Sequence, residues 1–116
     1  MSLTIKLDEI WVALMPVDFR KGVNGLCALV HDYFGKNPQR GMYIFYNTAR
    51  NRLKLLTWHH NGFLLLSKRL ERGRFPLRFS AGGKQTLTQQ QLQGLLLGLD
   101  WQTISDFEGI HFEHYY

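Results

Sequence analysis

Read from the N-terminus, short apolar blocks alternate with clusters of turn-forming residues. Residues 1–9 form a polar lead-in. Ile10–Met15 (IWVALM) is an apolar run that predicts a buried strand. Pro16 ends it, because proline has no N–H to give to a sheet ladder. Asp18 predicts a helix cap. Val23, Leu26, Cys27, Val30 and Phe34 then recur at the spacing of one helical face, so a helix is expected over about 19–34. Gly35, Asn37 and Pro38 stop it.

The middle of the chain changes period. MYIFY at 42–46 is aromatic and β-branched, and Asn47 to Asn51 reads as a turn. Arg52–Trp58 predicts a second strand of this region, His59–Gly62 a turn, and Phe63–Leu70 a third strand. Gly73 breaks the run. Phe75–Phe79 is expected as a further strand at a sheet edge, because Pro76 lies in it. Ala81, Gly82 and Gly83 form a loop. Thr88 and Gln91 match a capping box, and Leu92, Leu95, Leu96 and Leu99 share one face of the helix behind it. Gly98 ends that helix.

These elements predict an α+β fold: an antiparallel β-sheet meander of four to five strands with two main helices packed on one face. A single compact domain is expected over residues 1–101, followed by a C-terminal tail at 102–116. Strand order and oligomeric state stay open.

Composition narrows the class. A chain of 116 residues, 45% of them hydrophobic, buries a real core. One cysteine, Cys27, excludes an internal disulfide. The first ten residues lack the apolar stretch of a signal peptide, and no run approaches the roughly 20 apolar residues of a membrane span. A cytoplasmic protein without a membrane partner is the expectation.

Charge is distributed unevenly. All 14 Lys and Arg lie at or before Lys84, where they meet five acidic residues, so residues 1–84 carry +9 and residues 85–116 carry −4. Within 50–84, nine basic residues face one acid. Such a block points to a polyanion partner. Strand parity sharpens this: Arg50, Arg52 and Lys54 are two apart and share a face if the strand starts early enough. Lys68, Arg69, Arg72 and Arg74 crowd the bend at Gly73. Tyr43, Tyr46, Trp58 and Phe75 are candidate stacking surfaces for bases, although rings of this kind also serve as core. R-G-M-Y-I-F-Y at 40–46 does not match the aromatic signature of RNA-recognition modules, since Met42 and Tyr43 occupy the wrong positions.

Metal and catalytic chemistry find little footing. Cys27 and His31, His59 and His60, and His111 and His114 are pairs, and none builds a four-ligand set. There is no nucleophile elbow and no phosphate-binding glycine loop. No metal site and no cofactor are expected.

Several motifs in order resemble one family. They are D-F-R-K-G-V-N-G-L at 18–26, R-N-R-L-K-L-L-T-W at 50–58, N-G-F at 61–63, K-R-L-E-R-G-R-F at 68–75 and L-T-Q-Q-Q-L-Q-G-L-L-L-G-L-D-W at 87–101. Together they resemble the TnpB (second open reading frame) accessory protein of insertion-sequence family sixty-six, over about residues 10–101. That family is unrelated to the RNA-guided nuclease sharing the TnpB name. The family commonly has Trp-Pro after the K-R-L-E-R-G-R-F run, whereas Phe75 is followed here directly by Pro76. The resemblance implies a part in transposition, beside a separate larger transposase that cuts and joins strands. It carries over no catalytic residues.

The functional expectation is an accessory protein that binds nucleic acid, with DNA the expected partner but RNA left open, through Arg50, Arg52, Lys54, Lys68, Arg69, Arg72 and Arg74. Arg20 and Lys21 add an anchor at the start of the first helix. The alternative is a scaffold for the transposase without DNA contact. A metal-dependent nuclease is a third reading, and it would need carboxylates converging on the metal.

Overall fold

Five strands form one sheet in the computed structural model, which describes residues 9–103. They are β1 (Ile10–Pro16), β2 (Met42–Tyr46), β3 (Arg52–His59), β4 (Gly62–Arg69) and β5 (Lys84–Thr86). Their order across the sheet is β4-β3-β2-β1-β5. β2, β3 and β4 are antiparallel neighbours, as expected. β1 corrects the expectation of an all-antiparallel meander: it runs parallel to β2, with Ile10 opposite Met42 and Val12 opposite Ile44. Parallel neighbours need a long crossover, usually helical. Residues 17–41 supply it with α1 (Val23–Leu29), continued as a π-helical turn over Val30–Phe34.

The sheet is buried on both faces, and this corrects the placement of both helices on one face. Ile10, Val12, Leu14, Met42, Ile44, Tyr46, Leu53 and Leu55 point to one side, where Phe75, Leu77, Leu87, Leu92, Leu95 and Trp101 cover them. Ala13, Tyr43, Phe45 and Leu56 point to the other, against Leu26, Val30 and Phe34 of the first helix. All five residues of β2 are buried. A strand without a polar side is what a doubly covered sheet requires.

The first helix uses the predicted face, but it starts later. Asp18 does not cap it. The Asp18 carboxylate accepts from the backbone N–H and guanidinium of Arg20, holding a turn, and Gly22 becomes the N-cap. The second helix, α2 (Gln89–Leu96), follows its sequence signals closely. Gln91 N–H donates to the Thr88 hydroxyl, and Thr88 N–H donates to the Gln91 side chain. Gly98 follows with a φ of +77°, the left-handed conformation that favours glycine at a helix end.

Between β4 and β5 the chain returns from one edge of the sheet to the other. Residues 75–79 do not form the expected edge strand. They run extended across the sheet face, with Phe75 and Leu77 buried and Pro76 and Arg78 exposed. Arg50 anchors this strap twice. Its carbonyl accepts from Phe75 N–H at 2.6 Å, and its guanidinium donates to the Leu77 carbonyl at 2.9 Å. Arg50 has a φ of 59°, a strained position for a non-glycine residue that these two bonds help to hold. Beyond the strap, Lys84–Thr86 pairs antiparallel with β1, a strand at residues to which the sequence reading assigned no element. Among the described residues, no helix is long and apolar enough to cross a membrane. Most of the expected lead-in and tail, and the His111 and His114 pair, lie outside the described residues.

Removing the Thr88 cap should be felt directly. Thr88→Ala is expected to lower unfolding free energy by about 1 kcal/mol. A urea melt should show it as a reduced midpoint with unchanged slope.

Candidate nucleic-acid interface

The hairpin of β3 and β4 carries the densest group of cations on the first-helix side of the sheet. Lys54 and Leu56 share a parity on β3, and Leu56 packs under the first helix, so Arg52 and Lys54 point to that side. On β4, Phe63 and Leu65 pack there too, which places Ser67 and Arg69 on the same face. The register then pairs Arg52 with Arg69 and Lys54 with Ser67. These residues and Phe19 line a cavity of about 370 Å³. Lys68 also borders it, although its amine leaves toward the opposite face and donates to the Leu96 carbonyl at the end of α2.

Lys54 ties the cavity together. Its half-buried amine donates to the carbonyls of Phe19 at 2.9 Å and Lys21 at 3.1 Å, and lies 4.9 Å from the centre of the Phe19 ring. This fixes the turn between β1 and α1 over the hairpin. Arg52 and Arg69 face one another as like charges across adjacent strands, an arrangement that costs stability unless an anion relieves it. Glu71 reaches Arg69 at 3.4 Å between exposed side chains, a weak compensation. Arg52 has no carboxylate partner among the described residues.

The remaining candidates divide by role. Arg50 lies in the turn before β3, so it does not share the face of Arg52 and Lys54, and its guanidinium holds the strap. Arg20 grips the Asp18 carboxylate at 2.6 Å, which holds that carboxyl down at about 2 and pushes the arginine up. Lys21 is exposed beside the cavity and lends its carbonyl to Lys54. Arg72 and Arg74 are exposed on the bend past β4, where the structure shows no ion pair for either among the described residues. The structure thus brings together Arg52, Lys54 and Arg69, and Lys21 meets the group through its carbonyl.

Two lining residues escaped the sequence reading. Ser67 is two positions before Arg69, so strand parity was the available signal. Phe19 lies in the D-F-R-K segment between the paired Asp18 and Arg20, and only the tertiary contact with Lys54 reveals its position. Among the candidate aromatics, Tyr43, Tyr46 and Phe75 are core. Burial pushes the Tyr43 and Tyr46 hydroxyls up, so neither is ionised near neutrality. Trp58 is half-buried and meets Phe63 edge to face at 5.0 Å. Burial also pushes the Cys27 thiol up, away from the reactive thiolate. Among the described residues, no three His, Cys, Asp or Glu side chains gather as metal ligands would.

The mixed sheet and its cation-lined hairpin define a small basic α+β module. A protein-family profile described as "IS66 Orf2 like protein" matches residues 8–106, and the chain belongs to that family. Two proteins of Sinorhizobium fredii are similar along most of their length. Uncharacterized protein y4jC is 35% identical over 97 residues, covering 83% of each chain. Uncharacterized protein y4hO is 33% identical over 95 residues, covering 81% of this chain and 83% of its own. No solved structure matches.

Substitutions separate the two kinds of cation. Lys54→Ala should destabilise the protein by about 1–2 kcal/mol, because two carbonyls lose their donor. Arg52→Ala should change stability by less than about 0.5 kcal/mol. Paired thermal melts at low salt test the contrast.

Asp18 gives a signature in acid. Its folded pKa of about 2 lies below the ordinary 3.8, so its contribution is complete above 3.8 and is lost as pH falls toward 2. Arg20→Ala should return the carboxyl toward 3.8 in an NMR titration.

Proposed function

We propose that this protein is an accessory factor of insertion-sequence transposition that binds nucleic acid through the first-helix face of the β3–β4 hairpin. Family membership supports the transposition role. The observation that carries nucleic-acid contact is the Arg52–Arg69 pair, two like charges facing one another in the wall of an open cavity. A phosphate between them turns a repulsion into two charge-assisted bonds, and arginine's planar fork suits that geometry. Lys21, Arg72 and Arg74 extend the positive surface as secondary contacts.

Arg50, Arg20 and Lys68 contribute to this reading as charge near the face rather than as phosphate ligands, since each already holds a partner. A scaffold for the transposase that never touches DNA is the second reading. The exposed Arg69–Glu71 pair favours it to the extent that a protein partner's acids take Glu71's place.

Binding to duplex DNA from the element's ends should weaken steeply with salt. The double variant Arg52→Ala/Arg69→Ala is expected to flatten the log–log salt slope by about 0.9, for the one phosphate left without its arginines. Wild-type affinity independent of salt, or a variant slope equal to wild type, would favour the scaffold.

A further inference from the structure

The hairpin cavity has more than a phosphate's worth of room and more than one kind of wall. Its volume of about 370 Å³ falls at the small end of the range for ligand pockets. Arg52 and Arg69 supply positive charge from facing strands, and Ser67 adds a hydroxyl beside them. Phe19 supplies an aromatic wall, pinned by the Lys54 bonds to its own carbonyl and to that of Lys21. Among the described residues, no carboxylate is part of the lining. Charge with a hydroxyl at one place and a ring at another matches a nucleotide, whose phosphate and base differ in the same way.

We infer that this cavity takes one nucleotide of a single-stranded segment, its phosphate between Arg52 and Arg69 and its base against Phe19. The inference rests on the nucleic-acid reading above and narrows it from duplex backbone to unpaired strand. A duplex keeps its base faces stacked inside and presents only base edges, sugars and phosphates. An unpaired strand has free base faces, which aromatic side chains hold with little regard to sequence. Phe19 brings a ring without hydrogen-bonding groups, so the pocket tolerates any base.

The test is an NMR titration of the full-length protein with oligothymidylate, thymidine monophosphate, inorganic phosphate and a duplex of matched length. Oligothymidylate should shift the Phe19, Ser67 and Arg69 amides and bind more tightly than the other three probes. Phe19→Ala should weaken oligothymidylate binding by about tenfold and leave duplex binding unchanged. Ser67→Asp alters an exposed position, so the fold survives, and its carboxylate, opposite Lys54 and two residues before Arg69, should abolish the oligothymidylate shifts. Equal binding of inorganic phosphate and oligothymidylate would overturn the base contact. Thymidine monophosphate binding as tightly as the oligonucleotide would make this a free-nucleotide site and overturn the strand assignment. Salt-dependent duplex binding with unmoved pocket amides would sink the inference alone. Failure of every nucleic acid to bind would remove the parent reading with it.

Discussion

Five consecutive buried residues, Met42–Tyr46, set the problem that the rest of the chain solves. A central strand with no polar side must be covered above and below, because each exposed large side chain forfeits about 1.5–3 kcal/mol of burial. One cover is the helical crossover between β1 and β2, which also forces those strands to run parallel. The other combines α2 with the extended strap at residues 75–79. Because the strap must travel from β4 to β5, it passes over the sheet and brings Phe75 and Leu77 onto Tyr46 and its neighbours. Mixed topology and two-sided burial are thus two results of one constraint.

Local signals in the sequence were legible where they act locally. The strand at 42–46, the hairpin at 52–69, the apolar face of the first helix and the Thr88–Gln91 capping box all read directly from residue type and spacing. What could not be read depends on partners far along the chain or on competition between neighbours. Asp18 has the chemistry of a helix cap, yet Arg20, two residues on, competes for its carboxylate and shifts the helix start to Gly22. Phe75–Phe79 alternates like a strand, but its alternation serves a sheet face instead of a ladder. Lys84–Thr86 is too short and polar to announce itself. The parallel pairing of β1 is invisible in periodicity, since a run such as IWVALM suits either direction.

The candidate site was half visible. Parity on β3 and β4 foretold that cations would share faces, but not which cations were free. Arg50 and Lys68 are charged residues acting largely as donors to main-chain carbonyls, and such a role cannot be told from a solvated one by composition. Arg52 and Arg69 stand out because the register opposes them. Their juxtaposition requires the hairpin to be in one register only, and Leu53, Leu55 and Leu56 enforce it, since a one-residue slip would turn all three away from their cores.

β4 forms one border of the sheet, and Leu66 on it is 45% exposed. Open borders invite adhesion to another chain, and positive side chains are a common guard against it. Ser67, Lys68 and Arg69 occupy the polar half of this strand, and the two cations among them are the kind of side chain that guards such a border. Stripping them to obtain an inert control would risk precipitation. Arg52, set one strand inward, is the safer place to remove charge when solubility must be preserved.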